Sequence, residues 1–219
     1  MSRFFPPIGV LPQMFCAVLM AALPVGALAG DTGAPITLLK RLEVSRLMYR
    51  AGLADQDPLM IVAAAKMRKT APIVPGTRTP EGGTAAQTGP LSAEAMLNTA
   101  ALLAQGNPAL EKLVEDVRFV TVKGVQDGPV YSSTAIAAQK TDKYPGIAFT
   151  GGSYAEIYVE GKGSSNLDLH VYDSAGRLVC SDTDITDIAY CGWRPDTADQ
   201  YTIQVVNKGA GTEYSLVTN

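Results

Sequence analysis

Residues 166–193, NLDLHVYDSAGRLVCSDTDITDIAYCGW, hold the chain's one histidine, its one tryptophan and two of its three cysteines. They also hold Asp168, Asp173, Asp182, Asp184 and Asp187. Residues of these types do three kinds of chemistry. His170, Cys180 and Cys191 are ligand types for zinc, but the short spacing that pairs cysteines in a zinc knuckle is missing. Asp182, Asp184 and Asp187 make a D-x-D-x-x-D run of hard oxygen donors, the kind calcium takes. As an EF-hand loop the run fails: Asp187 stands where glycine is needed and Trp193 where the bidentate glutamate is needed. An irregular calcium site using these acids, with Asp168 or Asp173, stays open beside a solvated acidic turn with Asx-type hydrogen bonds.

The third chemistry is nucleophilic catalysis. A single histidine must serve any histidine-dependent mechanism. GGSYA at 151–155 ends in alanine and misses the G-x-S-x-G elbow. H-E-x-x-H is absent, and GKGSS at 161–165 lacks the upstream spacing of a phosphate loop. The expectation is a protein that is not an enzyme and has no resident cofactor, calcium excepted. Asp168 with Glu156 is the nearest acid pair a hydrolase could use.

The N-terminus sets the compartment. Arg3 precedes an apolar stretch from about Met14 to Leu28, and Ala27 and Ala29 have the A-x-A spacing of a signal-peptidase site. Residues 1–29 read as a signal peptide, which leaves no membrane span after cleavage. The apolar run is short for a span, and Pro24 interrupts it. The expected location is periplasmic or secreted. Cleavage removes Cys16 and leaves Cys180 and Cys191, an even count in an oxidising compartment, which reads as one disulfide tying RLVCSD to IAYCGW. The formal net charge of -3 offers no basic face for nucleic acid.

The elements that must position these residues fall into two grammars. Residues 30–117 are helical. Val44, Leu47, Met48 and Ala51 recur at helical spacing, and Asp57-Pro58 forms an N-cap followed by proline at the first helical position. Residues 70–90 are rich in Pro, Gly and Thr and read as a mobile loop. Ser92 caps a third helix and Asn107-Pro108 opens a fourth. LADQDP at 53–58 and LAQGNP at 103–108 match at an offset of 50, so the helices form two similar hairpins. Residues 118–143 read as linker or first strand, with RFVTVKG the candidate.

From 144 to 219 short alternating runs are separated by Gly, Asp, Asn and Pro turns, the mark of an antiparallel sandwich. Leu167, Leu169 and Val171 share a face; so do Ala155, Ile157 and Val159, and Tyr201, Ile203 and Val205. The fold class is therefore α+β: helical hairpins, then a jelly-roll-like β-sandwich. Tyr154, Tyr158, His170 and Tyr172 alternate away from these core sets. On an open sheet they make an aromatic patch for a glycan or a protein; under the helical half they make a domain interface.

The segment from Gly146 to Asn219 resembles the bacterial pre-peptidase C-terminal domain. The matching features are the Gly-rich turn before NLDLHVYD, SAGRLV as its turn and return strand, Trp193-Arg194-Pro195, YTIQVVN, and the closing Tyr214-Ser215-Leu216. The resemblance covers about residues 144–219. It implies a small β-sandwich of the kind that accompanies secreted proteases. No protease precedes it in this chain, and Asn166 stands where the family commonly has Asp, which departs from an inherited calcium site. Together these features lead to an exported binding or structural module of the envelope or exterior, partnered by a protein or glycan there. An accessory or inhibitory subunit of a secreted enzyme is the alternative.

Overall fold

The computed structural model describes Met1, 36–86, 88–121, 128–163 and 165–219. The signal segment and its cleavage site fall on residues 2–35, outside the described residues. So does part of the candidate strand RFVTVKG; its first residue, Arg118, closes a helix instead.

Among the described residues four helices precede most of the strands, each started by a side-chain cap. Thr37 caps α1 (Leu38–Ala54), accepting from Lys40 N at 3.3 Å. Asp57 caps α2 (Pro58–Lys69), accepting from Leu59 N and Met60 N at 2.8 and 3.1 Å, with Pro58 opening the first turn, where its missing N–H is harmless. After α2, two short strands follow, β1 (Val74–Pro75) and β2 (Thr84–Ala85). Ser92 caps α3 (Ala93–Leu103), and Asn107 caps α4 (Pro108–Arg118). The two hairpins share one core of Ile61, Val62, Ala64, Ala65, Met96, Leu97, Ala100, Val114 and Val117. Gly52 lets α1 and α2 meet: a Cβ there would stand 2.7 Å from Ile61 Cγ1.

The expected stripe on α1 is displaced. Leu47 is 45% exposed, whereas Leu39, Leu42, Ser45 and Gly52 are buried. α1 buries Leu39 and Leu42 against the sheet and packs Met48 on the helical core, so its buried residues are split between two neighbours and do not form the single stripe expected.

Among the described residues eight further strands build the sandwich with β1 and β2. They are β3 (Val130–Ile136), β4 (Thr141–Phe149), β5 (Ala155–Gly161), β6 (Leu167–Tyr172), β7 (Leu178–Asp182), β8 (Ile188–Trp193), β9 (Asp199–Asn207) and β10 (Thr212–Thr218). One sheet, A, runs β1-β3-β10-β5-β8 with β2 also on β3; the other, B, runs β4-β9-β6-β7. Segment 70–90 therefore is not simply a loop: Val74 pairs in parallel with Val130, and Thr84 pairs antiparallel with Ala135. Pairings two residues long leave no periodicity for a sequence to display. Segment 118–143 contributes β3 and the start of β4.

The core between the sheets contains the expected inward sets: Ala155, Ile157 and Val159 face Leu167, Leu169, Val171, Tyr201, Ile203 and Val205. Every residue of β5 is buried, because sheet A is covered on both sides. Its outer face meets α1 through Leu39, Leu42, Ala71, Tyr158, Ile188 and Val217.

Candidate functional site

Cys180 and Cys191 are bonded. The bond does not lie within one sheet. Cys180 lies on β7 of sheet B and Cys191 on β8 of sheet A, so it staples the two sheets at one edge. It also removes both thiols from any zinc site with His170.

The acidic turn does not converge. Asp182 Oδ2 accepts from Tyr190 N at 2.8 Å and its Oδ1 from Asp184 N at 3.2 Å, an Asx-type turn. Asp187 points the other way. It is 3% exposed and pairs with Arg46 at 2.6 Å and Arg50 at 3.1 Å, both on α1. Among the described residues, no group of three or more His, Cys, Asp or Glu side chains could hold a metal ion. The donor set therefore does not fit calcium through Asp182, Asp184 and Asp187. The acid pair considered for a hydrolase is separated as well. Glu156 faces the helices on sheet A, where its Oε1 accepts from Thr37 Oγ1 and from Tyr190 OH. Asp168 faces outward from sheet B and pairs with Lys208 at 2.7 Å.

The aromatic row divides between the sheets. Tyr158 is fully buried under α1 and donates from its hydroxyl to Glu160 Oε2 at 2.8 Å. Burial, with Glu160 beside it, pushes that phenol well above its ordinary range. Tyr154 is 41% exposed at the entrance to β5. It packs on Gly192, where a Cβ would stand 2.3 Å from the Tyr154 hydroxyl oxygen. Tyr190 nearby is also raised, by burial first and then by its bonds to Glu156 and Tyr154.

His170 and Tyr172 sit elsewhere, on the outer face of sheet B. Both are half-buried, with ring centroids 6.5 Å apart and planes inclined by 32°. Register places Ser181 and Gln204 on either side of His170, and Lys143 beyond Gln204. Leu178 and Thr202 flank Tyr172 in the same way. At about 4.8 Å per strand, the row Ser181–His170–Gln204–Lys143 spans roughly 14 Å. The helices pack on β5 and β8, strands of the opposite sheet. What this face offers is an imidazole, a phenol, an amide and hydroxyls on a rigid sheet.

The charged seam between the helices and sheet A was not foreseen. Arg68 of α2, 5% exposed, pairs with the 3% exposed Glu160 at 2.8 Å. In sequence Arg68 reads as a last-turn cation suited to the helix dipole. Its burial depends on which helix face meets the sheet. A hint was available: Glu156 and Glu160 occupy the same alternating face of β5 as Tyr158, an odd composition for a face left to solvent.

Among the described residues, no helix is long and apolar enough to cross a membrane. No family model matches the chain, and no curated protein matches it. Solved structures with partial similarity include the pre-peptidase C-terminal domain of a collagenase from Bacillus anthracis. It is 12% identical with a TM-score of 0.34, over 42% of this chain and 89% of that one. The Yersinia pseudotuberculosis-derived mitogen gives 12% and 0.34 over 42% and 85%. PliG of Aeromonas hydrophila, a periplasmic inhibitor of g-type lysozyme, gives 19% and 0.30 over 46% and 90%. The chain is thus distantly similar to these domains, and no family is assigned to it.

Proposed function

We propose that this chain is an exported, non-enzymatic recognition module that binds a glycan of the cell envelope or exterior through the outer face of sheet B. One observation carries this. The helices are spent on sheet A, while sheet B keeps His170 and Tyr172 side by side among Ser181, Thr202 and Gln204. Aromatic rings stack on the apolar faces of sugars, and the amide and hydroxyls bond their hydroxyl groups. His170 stands beside Tyr172 rather than in a group of acids or thiols, which favours contact over catalysis. A location outside the cytoplasm agrees with the disulfide and with the A-x-A site at Ala27 and Ala29.

The test is a printed array of envelope and extracellular glycans, peptidoglycan fragments included, probed with wild type, Tyr172→Ala and His170→Ala. Each variant should weaken glycan binding about tenfold, a loss of roughly 1–2 kcal/mol, at an unchanged melting temperature. Absence of glycan binding by the wild type, or binding indifferent to both substitutions, refutes the proposal.

A further inference from the structure

The loop between β1 and β2 is pinned to both sheets. Arg78 N donates to Ser132 Oγ on β3 at 3.0 Å, and Glu81 N donates to Lys143 O on β4 at 2.9 Å. Pro80, between them, is buried. These ties hold the Arg78 side chain at the margin between the sheets, where its Nη1 donates to Thr218 Oγ1 on β10. There it lines a pocket of about 340 Å³ together with Tyr144, Pro145, Gly146, Ile147 and Ala148 of β4.

Arg78 is half-buried, and its charge has no counter-charge. Among the described residues its guanidinium bonds only the neutral Thr218 hydroxyl, although it has five donors. Arg46 and Arg68, set into the helix–sheet seam, each pair with an acid, at 2.6 and 2.8 Å. At Arg78 burial acts alone and pulls the guanidinium below its ordinary range, with no acid to oppose it. None of its nitrogens is both sealed from solvent and unpartnered, so the unbonded N–H groups are open to a ligand. A cation partly withdrawn from water costs free energy unless an anion meets it. The strand beside it is also incomplete. β4 is an edge of sheet B, paired with β9 on one side. On the other side, among the described residues, the bond from Glu81 to Lys143 is its one backbone partner. Beyond it the register shifts between Tyr144 and Ile147, with Gly146 at a φ of 69°. A free strand edge is a template for an added strand.

We propose that this pocket captures the C-terminal carboxylate of a polypeptide, whose last residues extend along the free edge of β4. The carboxylate lies on the Arg78 guanidinium, whose planar fork matches two carboxylate oxygens. The last side chain lies against Pro145, Ile147 and Ala148. The preceding backbone adds to the edge of β4, the mode in which an extended peptide joins an exposed sheet edge. A free phosphate or sulfate would answer the charge but would set its hydration shell against those apolar side chains. The site is independent of the outer face of sheet B: His170, Tyr172 and Gln204 line none of it.

Fluorescence polarisation with a library of N-terminally labelled octapeptides, varied over their last four residues and made both as C-terminal acids and as C-terminal amides, tests it. At least one acid should bind with a Kd below about 100 μM, and its amide about tenfold or more weakly. Arg78→Met should weaken the acid to the level of the amide. Arg78→Lys, which keeps the charge and loses the fork, should fall between the two. Ala148→Trp leaves Arg78 in place and fills the pocket from an exposed strand position, so it should abolish binding at an unchanged melting temperature. No binding by any acid at about 1 mM overturns the proposal. So does equal binding of acid and amide, or full binding by Arg78→Met or Ala148→Trp. N-acetyl amino acids that bind as tightly as the octapeptides overturn it as well, because the strand edge would then contribute nothing.

Discussion

Replacing Arg68 by methionine leaves Glu160 buried without its cation. The pair lies 2.8 Å apart with both side chains almost fully enclosed, and Tyr158 donates to the same carboxylate oxygen. At that distance the attraction is about 6 kcal/mol for an effective dielectric constant of about 20. Desolvation of each ion costs several kcal/mol, so the intact pair contributes little net stability. Breaking it is different, because one charge stays buried and unanswered. Arg68→Met and Glu160→Leu should each destabilise by about 3–5 kcal/mol. For a chain of this size that lowers the melting temperature by roughly 6–20 °C. The double variant Arg68→Met/Glu160→Leu removes both charges and strands only the Tyr158 hydroxyl, so it should lose about 1–2 kcal/mol. Urea denaturation of the four proteins at neutral pH, with the disulfide intact, gives the coupling directly. Single losses under 1 kcal/mol, or a double loss equal to the sum of the singles, would refute the claim that this pair is sealed at the helix–sheet seam.

Three further outcomes follow from other parts of the molecule. Cys180→Ser/Cys191→Ser should lose about 2–3 kcal/mol, the loop-entropy value for a short closed loop; denaturation midpoints equal to wild type would show that the staple adds nothing. Asp142 accepts from Tyr214 OH at 2.8 Å, and burial raises its carboxyl above the ordinary range despite that bond. Its folded pKa thus exceeds its unfolded one, so protonation favours the fold, and stability from this group falls as pH rises between those two values. Asp142→Asn should therefore gain on wild type at neutral pH, with the difference shrinking as pH falls through the carboxylate range; a constant difference across pH 3–7 would contradict this. Gly52→Ala should destabilise by about 1–3 kcal/mol, since the new methyl meets Ile61 Cγ1 at 2.7 Å and Asp57 O at 3.2 Å; an unchanged thermal transition would show that α1 and α2 can separate there at no cost.

Local chemistry was legible without the structure. Asp57, Ser92 and Asn107 announced the starts of three helices, because a short polar side chain before an apolar-periodic run satisfies free helix N–H groups. Alternation along 155–159, 167–171 and 201–205 named the inward residues of the sandwich correctly, because a pleated strand sends neighbouring side chains to opposite faces. Cysteine parity named the disulfide. What alternation cannot say is what lies over the outward face. The same rule put Tyr158 and Tyr172 on outward faces, and α1 buries one while the other is half-buried on the opposite sheet. Asp187 belonged to a plausible calcium run until Arg46 and Arg50, distant in sequence, claimed it. Sheet pairing, layer order and the partner of a buried charge are long-range matters. They depend on which surfaces meet once the chain has collapsed, and nearest-neighbour patterns in a sequence do not carry that information.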